Sequence, residues 1–284
     1  MSQFILVTES GADLPQKYID RFNIKIVPMY VNFGENTFKD SDIKAEDVFD
    51  YYEKNKILPT TSGSTPNDFT EIFRNINETY LDAEIIYIAY SSVTTVSFNS
   101  ARIAAEEFSN VHMIDSKNCT VGLGTVVIAA AEYIENNPGA EAQDIIQFVE
   151  EIRERTRFVF LPYSLLYLKA GGRISNASYI GAMLLKIYPT INLENGYLVA
   201  GSKYRGSFKK AYKNMIDKFF SRFELDRETI RLVKVHGLEK KDIIEIETIL
   251  KEQGVTKTEW VDAGAVISCH GGPGAVGLAG IENK

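Results

Sequence analysis

Glu84-Ile85-Ile86-Tyr87-Ile88-Ala89, running on into Tyr90-Ser91-Ser92, and then Val111-His112-Met113-Ile114-Asp115-Ser116, form the stretch on which the fold turns. Each run is short and apolar, as a buried strand is, and each stops at polar, hydroxyl-bearing residues. Between them Ala101, Ala104 and Ala105 fall at helical spacing. Strand, helix and strand in succession predict parallel strands with helices packed on both faces of the sheet.

The same alternation extends outward. Phe4 to Val7 reads as a strand that stops at Thr8-Glu9-Ser10-Gly11, and Leu14 to Phe22 as a helix with Asp13 as N-cap and Pro15 in its first turn. Ile24 to Val27 begins a second strand, and Ala45 to Lys54 is a helix with Val48, Phe49 and Tyr52 on one face. Thr, Ser, Gly and Pro crowd the segment from Pro59 to Pro66, which predicts irregular backbone, with Asn67 capping a helix that carries Phe69, Ile72 and Phe73. Further on, Thr125 to Ile134 and Ala142 to Arg155 read as helices joined by the turn Asn137-Pro138-Gly139.

The pattern changes after residue 157. Phe158 to Leu161 is a strand and Leu165 to Lys169 a short helix. Ile187 to Leu193 and Tyr197 to Ala200 flank Glu194-Asn195-Gly196, a strong hairpin signal. Ser207 to Phe223 is an amphipathic helix, Ile230 to Val235 a strand, Lys240 to Gln253 a helix and Thr258 to Val261 a strand, before a glycine-rich end. The expected fold class is α/β in two domains. Residues 1–157 form a three-layer α/β/α domain on a parallel sheet, and residues 158–284 a smaller two-layer α/β domain with a mixed sheet.

Composition bounds the function. The chain has 284 residues, 45% hydrophobic and 24% charged, enough for two cores. A net charge of −7 argues against nucleic acid or an anionic membrane as a standing partner. Cys119 and Cys269 have neither disulfide nor metal-ligand spacing and read as small core residues in a reducing compartment. With no signal-peptide pattern and no run near the roughly 20 apolar residues of a membrane span, the expected location is the cytoplasm.

In parallel sheets, ligands bind beyond the carboxyl ends of the strands. Thr8-Glu9-Ser10, Thr60-Thr61-Ser62, Ser91-Ser92 and Asp115-Ser116 all fall at positions consistent with that edge. Hydroxyls are neutral donors, so a cluster of them holds an anion without burying a positive charge. Each Ser or Thr alone reads equally well as a helix cap.

Six segments in order resemble the DegV family. Thr61-Ser62-Gly63-Ser64-Thr65-Pro66 is similar to its TSQPSP, Ser91 to Ala101 to its SSxLSGTYxSA, and Ile114-Asp115-Ser116-Lys117 matches IDSK. Leu166 to Ile174 matches LxYLxxGGRI, the most specific of the six. Lys186-Ile187-Tyr188-Pro189 resembles LKIKP, and His270-Gly271-Gly272-Pro273-Gly274 resembles the terminal HxGPG. There are departures: Glu9 stands for the aspartate of the opening TDS, Gly63-Ser64 for Gln-Pro, and Thr94-Thr95-Val96 for Leu-Ser-Gly.

The resemblance implies a carrier with a long-chain fatty acid buried between two domains. It further implies a separate ATP-dependent fatty acid kinase as partner, acyl phosphate as that kinase's product feeding phospholipid synthesis, and only transient membrane contact during loading. By the same resemblance, Thr61, Ser92 and His270 meet the carboxylate, with Ser62 the adjacent candidate, and Arg173 and Arg205 lie at the pocket mouth or kinase-docking face. No catalytic residue, metal or cofactor is implied beyond the bound fatty acid. Burial of hydrocarbon contributes roughly 0.8 kcal/mol per methylene, so a sixteen-carbon tail supplies on the order of 10 kcal/mol gross.

Rival chemistries are weaker. Ser92, His270 and Asp115 are the ingredients of a hydrolase triad acting on a lipid-like ester, but Ser92 lies in no G-x-S-x-G elbow. The glycines at 271, 272, 274, 277 and 280 resemble a phosphate loop without its strand–GxGxxG–helix order or its lysine. A phosphotransfer role for His270 lacks an acidic Mg²⁺-binding cluster in the loops.

Overall fold

The structure, a computed structural model, describes residues 3–172 and 187–284. In chain order its first part runs β1 (Gln3–Glu9), α1 (Gln16–Phe22), β2 (Lys25–Val27), β3 (Tyr30–Phe33), β4 (Asn36–Lys39), α2 (Ala45–Asn55) and β5 (Thr60–Ser62). It continues through α3 (Pro66–Thr79), β6 (Ala83–Ala89), α4 (Ser97–Ala105), β7 (Val111–Asp115), α5 (Thr120–Asn136) and α6 (Ala142–Arg155). Then come β8 (Thr156–Leu161), α7 (Leu166–Ala170), the hairpin β9 (Ile187–Glu194) and β10 (Tyr197–Arg205), and α8 (Phe208–Arg222). The chain closes with β11 (Thr229–Lys234), α9 (Lys240–Glu252), β12 (Lys257–Asp262), α10 (Ala265–Gly271) and β13 (Val276–Ile281).

The expected parallel sheet is present, in the order β2-β1-β6-β7. Its strands obey the period of two. Ile5, Val7, Ile85 and Tyr87 face α3 and α4, where Phe69, Phe73 and Ile76 are fully buried. Leu6, Ile86 and Ile88 face the other way, onto α5 and α6. Removing each of these large side chains from water contributes roughly 1.5–3 kcal/mol.

A separate mixed sheet has the order β10-β9-β8-β13-β11-β12. One face is covered by α8 and α9. The other packs on α2, α5 and α10, so its core joins residues from both ends of the sequence. A third, small antiparallel sheet among the described residues has the order β4-β3-β5.

Several local expectations are corrected. Thr60 to Ser62 is a strand, because Thr61 pairs with Val31 of β3, a partner invisible in the local composition. The cap of α3 is Thr65, whose hydroxyl accepts from the Asp68 amide with Pro66 at the first helical position; Asn67 lies inside the helix. Asp13 does not cap α1; it has a left-handed backbone (φ 48°) and points its carboxylate elsewhere. α5 begins at Thr120, five residues before the expected start at Thr125. The glycine-rich end is the central strand β13, antiparallel to both β8 and β11. Its glycines serve close packing: a Cβ on Gly277 would lie 2.9 Å from Cβ of Phe160, and one on Gly280 2.7 Å from Cδ1 of Ile230.

Candidate functional site

The carboxyl ends of β1, β6 and β7 deliver Glu9, Tyr90-Ser91-Ser92 and Asp115 to one edge. Ala89 of β6 lies opposite Asp115 of β7, so the loop just beyond it brings Ser92 to the end of the neighbouring strand. Ser92 Oγ donates to Asp115 Oδ2 at 2.5 Å, and the Ser92 amide lies 3.3 Å from Oδ1. Ser91 faces the other way and donates to the carbonyl of Gly196 at 2.8 Å. That carbonyl belongs to the β9–β10 turn, where Asn195 and Gly196 both have positive φ, as a two-residue hairpin turn requires. Ser91 therefore anchors the second sheet to the first while Ser92 faces a cavity.

His270 reaches the same place from α10. Two carboxylates fix that helix: Asp13 Oδ1 accepts from the Gly264 amide at 2.8 Å, and Asp40 Oδ1 from the Val266 amide at 2.9 Å. Acids at a helix N-terminus satisfy otherwise orphaned amides. Burial pushes the Asp40 carboxyl upward, opposed by the Val266 amide. At the other end of the ring a Cβ on Gly171 would stand 2.3 Å from His270 Nδ1. The first glycine of the Gly171-Gly172 pair is thus space for the imidazole. Across the cavity His270 Nε2 lies 2.9 Å from Thr61 Oγ1 on β5.

Thr61, Ser62, Ser92 and His270 line one cavity of about 610 Å³, together with Met29, Gly63, Tyr90, Val93 to Val96, Leu198 and Val266. Behind His270, Tyr90 and Leu198 an adjoining cavity is almost entirely apolar, walled by Phe160, Leu168, Val233, Val235 and Ile267. It encloses about 50 Å³ among the described residues. The arrangement sets a cavity with hydroxyls and an imidazole beside a hydrocarbon-lined one.

The expected residues fall unequally. Thr61, Ser92 and His270 converge, and of the Thr61-Ser62 pair it is Thr61 that meets the imidazole; Ser62 is exposed on the cavity rim. Arg205 is exposed at the far end of β10, roughly 23 Å along the strand from Leu198 at about 3.3 Å per residue. Arg173 lies outside the described residues. The remaining hydroxyls have structural duties. Thr8 Oγ1 donates to the Ile88 carbonyl, Ser10 Oγ accepts from the Met29 amide, and Ser116 Oγ accepts from the Asn118 amide. A hydrolase triad is not assembled: Asp115 holds Ser92 directly, while His270 is bonded to Thr61.

Two features escape sequence reasoning. Glu9 is fully buried and its Oε2 accepts the Tyr90 amide at 2.9 Å, bracing the loop that carries Ser92. Burial pushes its carboxyl up to about 7, against the pull of that amide. Second, the departures at residues 63 and 94–96 meet in space. A Cβ on Gly63 would lie 2.7 Å from Thr95 Oγ1 and 3.2 Å from Cγ2 of Val96. Val96 stands where the family pattern has glycine, and Gly63 where it has glutamine, so one loop has given up the room the other takes.

A four-stranded parallel sheet and a six-stranded mixed sheet, with a polar and an apolar cavity side by side, define the chain as an α/β protein. The chain belongs to the DegV family, a family of uncharacterised proteins whose model matches residues 3–283. A DegV domain-containing protein of Clostridium perfringens is 31% identical over 99% of both chains. Among solved structures, a DegV family protein from Thermus thermophilus, described as binding fatty acid, has 27% identity and a TM-score of 0.88, covering 99% of this chain and 100% of its own. DegV of Bacillus subtilis, described as a fatty acid binding protein, has 26% identity and a TM-score of 0.81, covering all of both chains. Among the described residues no helix is long and apolar enough to cross a membrane.

Proposed function

We propose that this chain is a fatty-acid carrier that buries a long-chain acyl tail between lobes of residues 1–157 and 158–284 and holds the head group at Thr61, Ser92 and His270. One observation carries this. The cavity lined by these three side chains shares His270, Tyr90 and Leu198 as walls with an apolar cavity, so a polar head site and a hydrocarbon-lined site adjoin. The similarity to the fatty-acid-binding DegV structures supports it. The carrier presents the head group to a separate ATP-dependent kinase that forms the acyl phosphate for phospholipid synthesis. Arg205, exposed on a chain of net charge −7, contributes to the docking face, as does Arg173.

Organic extraction and native mass spectrometry of protein purified from cells test the carrier. A co-purified long-chain fatty acid at about one per chain is expected; chains that carry no lipid and take up none when offered it would refute the proposal. Incubation with ATP alone leaves the fatty acid unchanged, and adding the kinase yields acyl phosphate. Arg205→Ala slows that step and spares lipid retention; an emptied cavity in this variant would refute its docking role.

A further inference from the structure

The hydrogens of the head-group cradle are already allocated. Ser92 Oγ gives its one proton to Asp115 Oδ2 at 2.5 Å. The carboxylate is itself pinned, because the Lys117 amide donates to Oδ1 at 2.8 Å from a left-handed residue (φ 51°) and the Ser92 amide lies 3.3 Å from the same oxygen. A serine so held turns lone pairs, not a proton, toward the cavity. Thr61 Oγ1 and His270 Nε2 share one hydrogen across 2.9 Å. When the imidazole donates it, Thr61 keeps its own proton for a ligand. The side-chain cradle then offers one donor, Thr61, and one acceptor, Ser92.

That pair is the complement of a neutral carboxylic acid, whose carbonyl accepts from Thr61 while its O–H donates to Ser92. A carboxylate has only acceptors, and would set its charge against the Ser92 lone pairs with the Asp115 carboxylate one hydroxyl behind. We infer that the cavity selects its fatty acid in the protonated, neutral form, and that Asp115 is the positioning residue that imposes this choice through Ser92. The inference rests on the carrier reading above. The charged and titratable groups facing this corner come from every adjoining element. Glu9 of β1 and Tyr87 of β6 lie beside Asp115. Lys117 is paired with Glu154 of α6 at 2.9 Å, and Arg153 of α6 donates to the Asp115 carbonyl at 3.1 Å. His270 faces the cavity from α10.

The test compares three head groups on one saturated chain, bound to delipidated full-length protein across mildly acidic to mildly alkaline pH. They are the carboxylic acid, the primary alcohol (a neutral O–H donor) and the alkyl sulfonate (an anion at every pH). In the wild type, the acid and the alcohol bind and the sulfonate binds at least about tenfold more weakly, since its charge meets the single donor Thr61 and faces the Ser92 lone pairs. Affinity for the acid falls toward alkaline pH while that for the alcohol stays level. In Asp115→Asn the amide donates to Ser92, whose proton turns to the cavity. The sulfonate then gains about tenfold, the alcohol weakens, and the fall at alkaline pH flattens. In a Ser92→Ala background Asp115→Asn changes none of these ratios. A wild type that binds sulfonate as tightly as acid overturns the inference with no variant needed. So does an Asp115→Asn protein in which all three ligands shift equally. If none of the three binds the wild type at any pH, the carrier reading itself fails.

Discussion

Glu9→Gln turns the buried carboxylate behind the Tyr90 loop into a stability measurement. Glu9 is fully buried, and burial raises its carboxyl from 4.5 to about 7. Below pH 4.5 the folded and unfolded chains both hold the proton and the group makes no difference. As pH rises from there to about 7, the native state holds a proton that the unfolded chain has released, so stability falls with pH. At about 1.4 kcal/mol per pH unit over the interval, the loss levels off near about 3 kcal/mol above pH 7. Glutamine is neutral throughout, and its carbonyl accepts the Tyr90 amide as Glu9 Oε2 does. Thermal unfolding followed at a series of pH values should give superimposable wild-type and variant curves in acid. In mild alkali the variant should melt roughly 6–12 °C higher, at roughly 2–4 °C per kcal/mol for a chain of this order of size. Parallel pH profiles for the two proteins would refute the reasoning, because they would place the ionisation of Glu9 outside the folding equilibrium.

Other consequences follow from the site. Gly171→Ala puts a methyl 2.3 Å from His270 Nδ1, which forces the ring to move and breaks its bond to Thr61; fatty-acid affinity should fall about tenfold or more, measured by calorimetry on delipidated protein. Thr61→Val removes the same bond without crowding and should cost about 1–3 kcal/mol of binding with the melting temperature nearly unchanged; unaltered affinity would exclude Thr61 from the head-group site. Gly63→Gln, the residue of the family pattern, should destabilise the chain, and Val96→Gly should recover part of the loss, with a coupling of roughly 0.5–3 kcal/mol in a double-mutant cycle. Cys119 and Cys269 are buried and burial pushes both thiols up to about 12, so a thiol reagent should label neither until the protein is unfolded.

Most of the fold was legible because its signals are local. Ile85-Ile86-Tyr87-Ile88 had to be a strand buried on both faces, and the helix after Pro66 announced its apolar stripe at Phe69, Ile72 and Phe73. At two of the places where the expectation went wrong, a distant partner had intervened. Thr60 to Ser62 became a strand by pairing with β3, and the glycine-rich end became a central strand because β8 and β11 lay open on either side of it. Local composition carries no record of either partner.

The sequence by itself determined the alternation of strands and helices, the hairpin at Asn195-Gly196 and the spelling of the motifs that hold Thr61, Ser92 and His270. Only the tertiary structure decided that Thr61 and His270, 209 residues apart, share a hydrogen, and that the proton of Ser92 points away from the cavity toward Asp115. The reason is physical. Periodicity is set by bonds between near neighbours along the chain, whereas a hydroxyl takes its direction from whichever acceptor folding brings within about 3 Å of it.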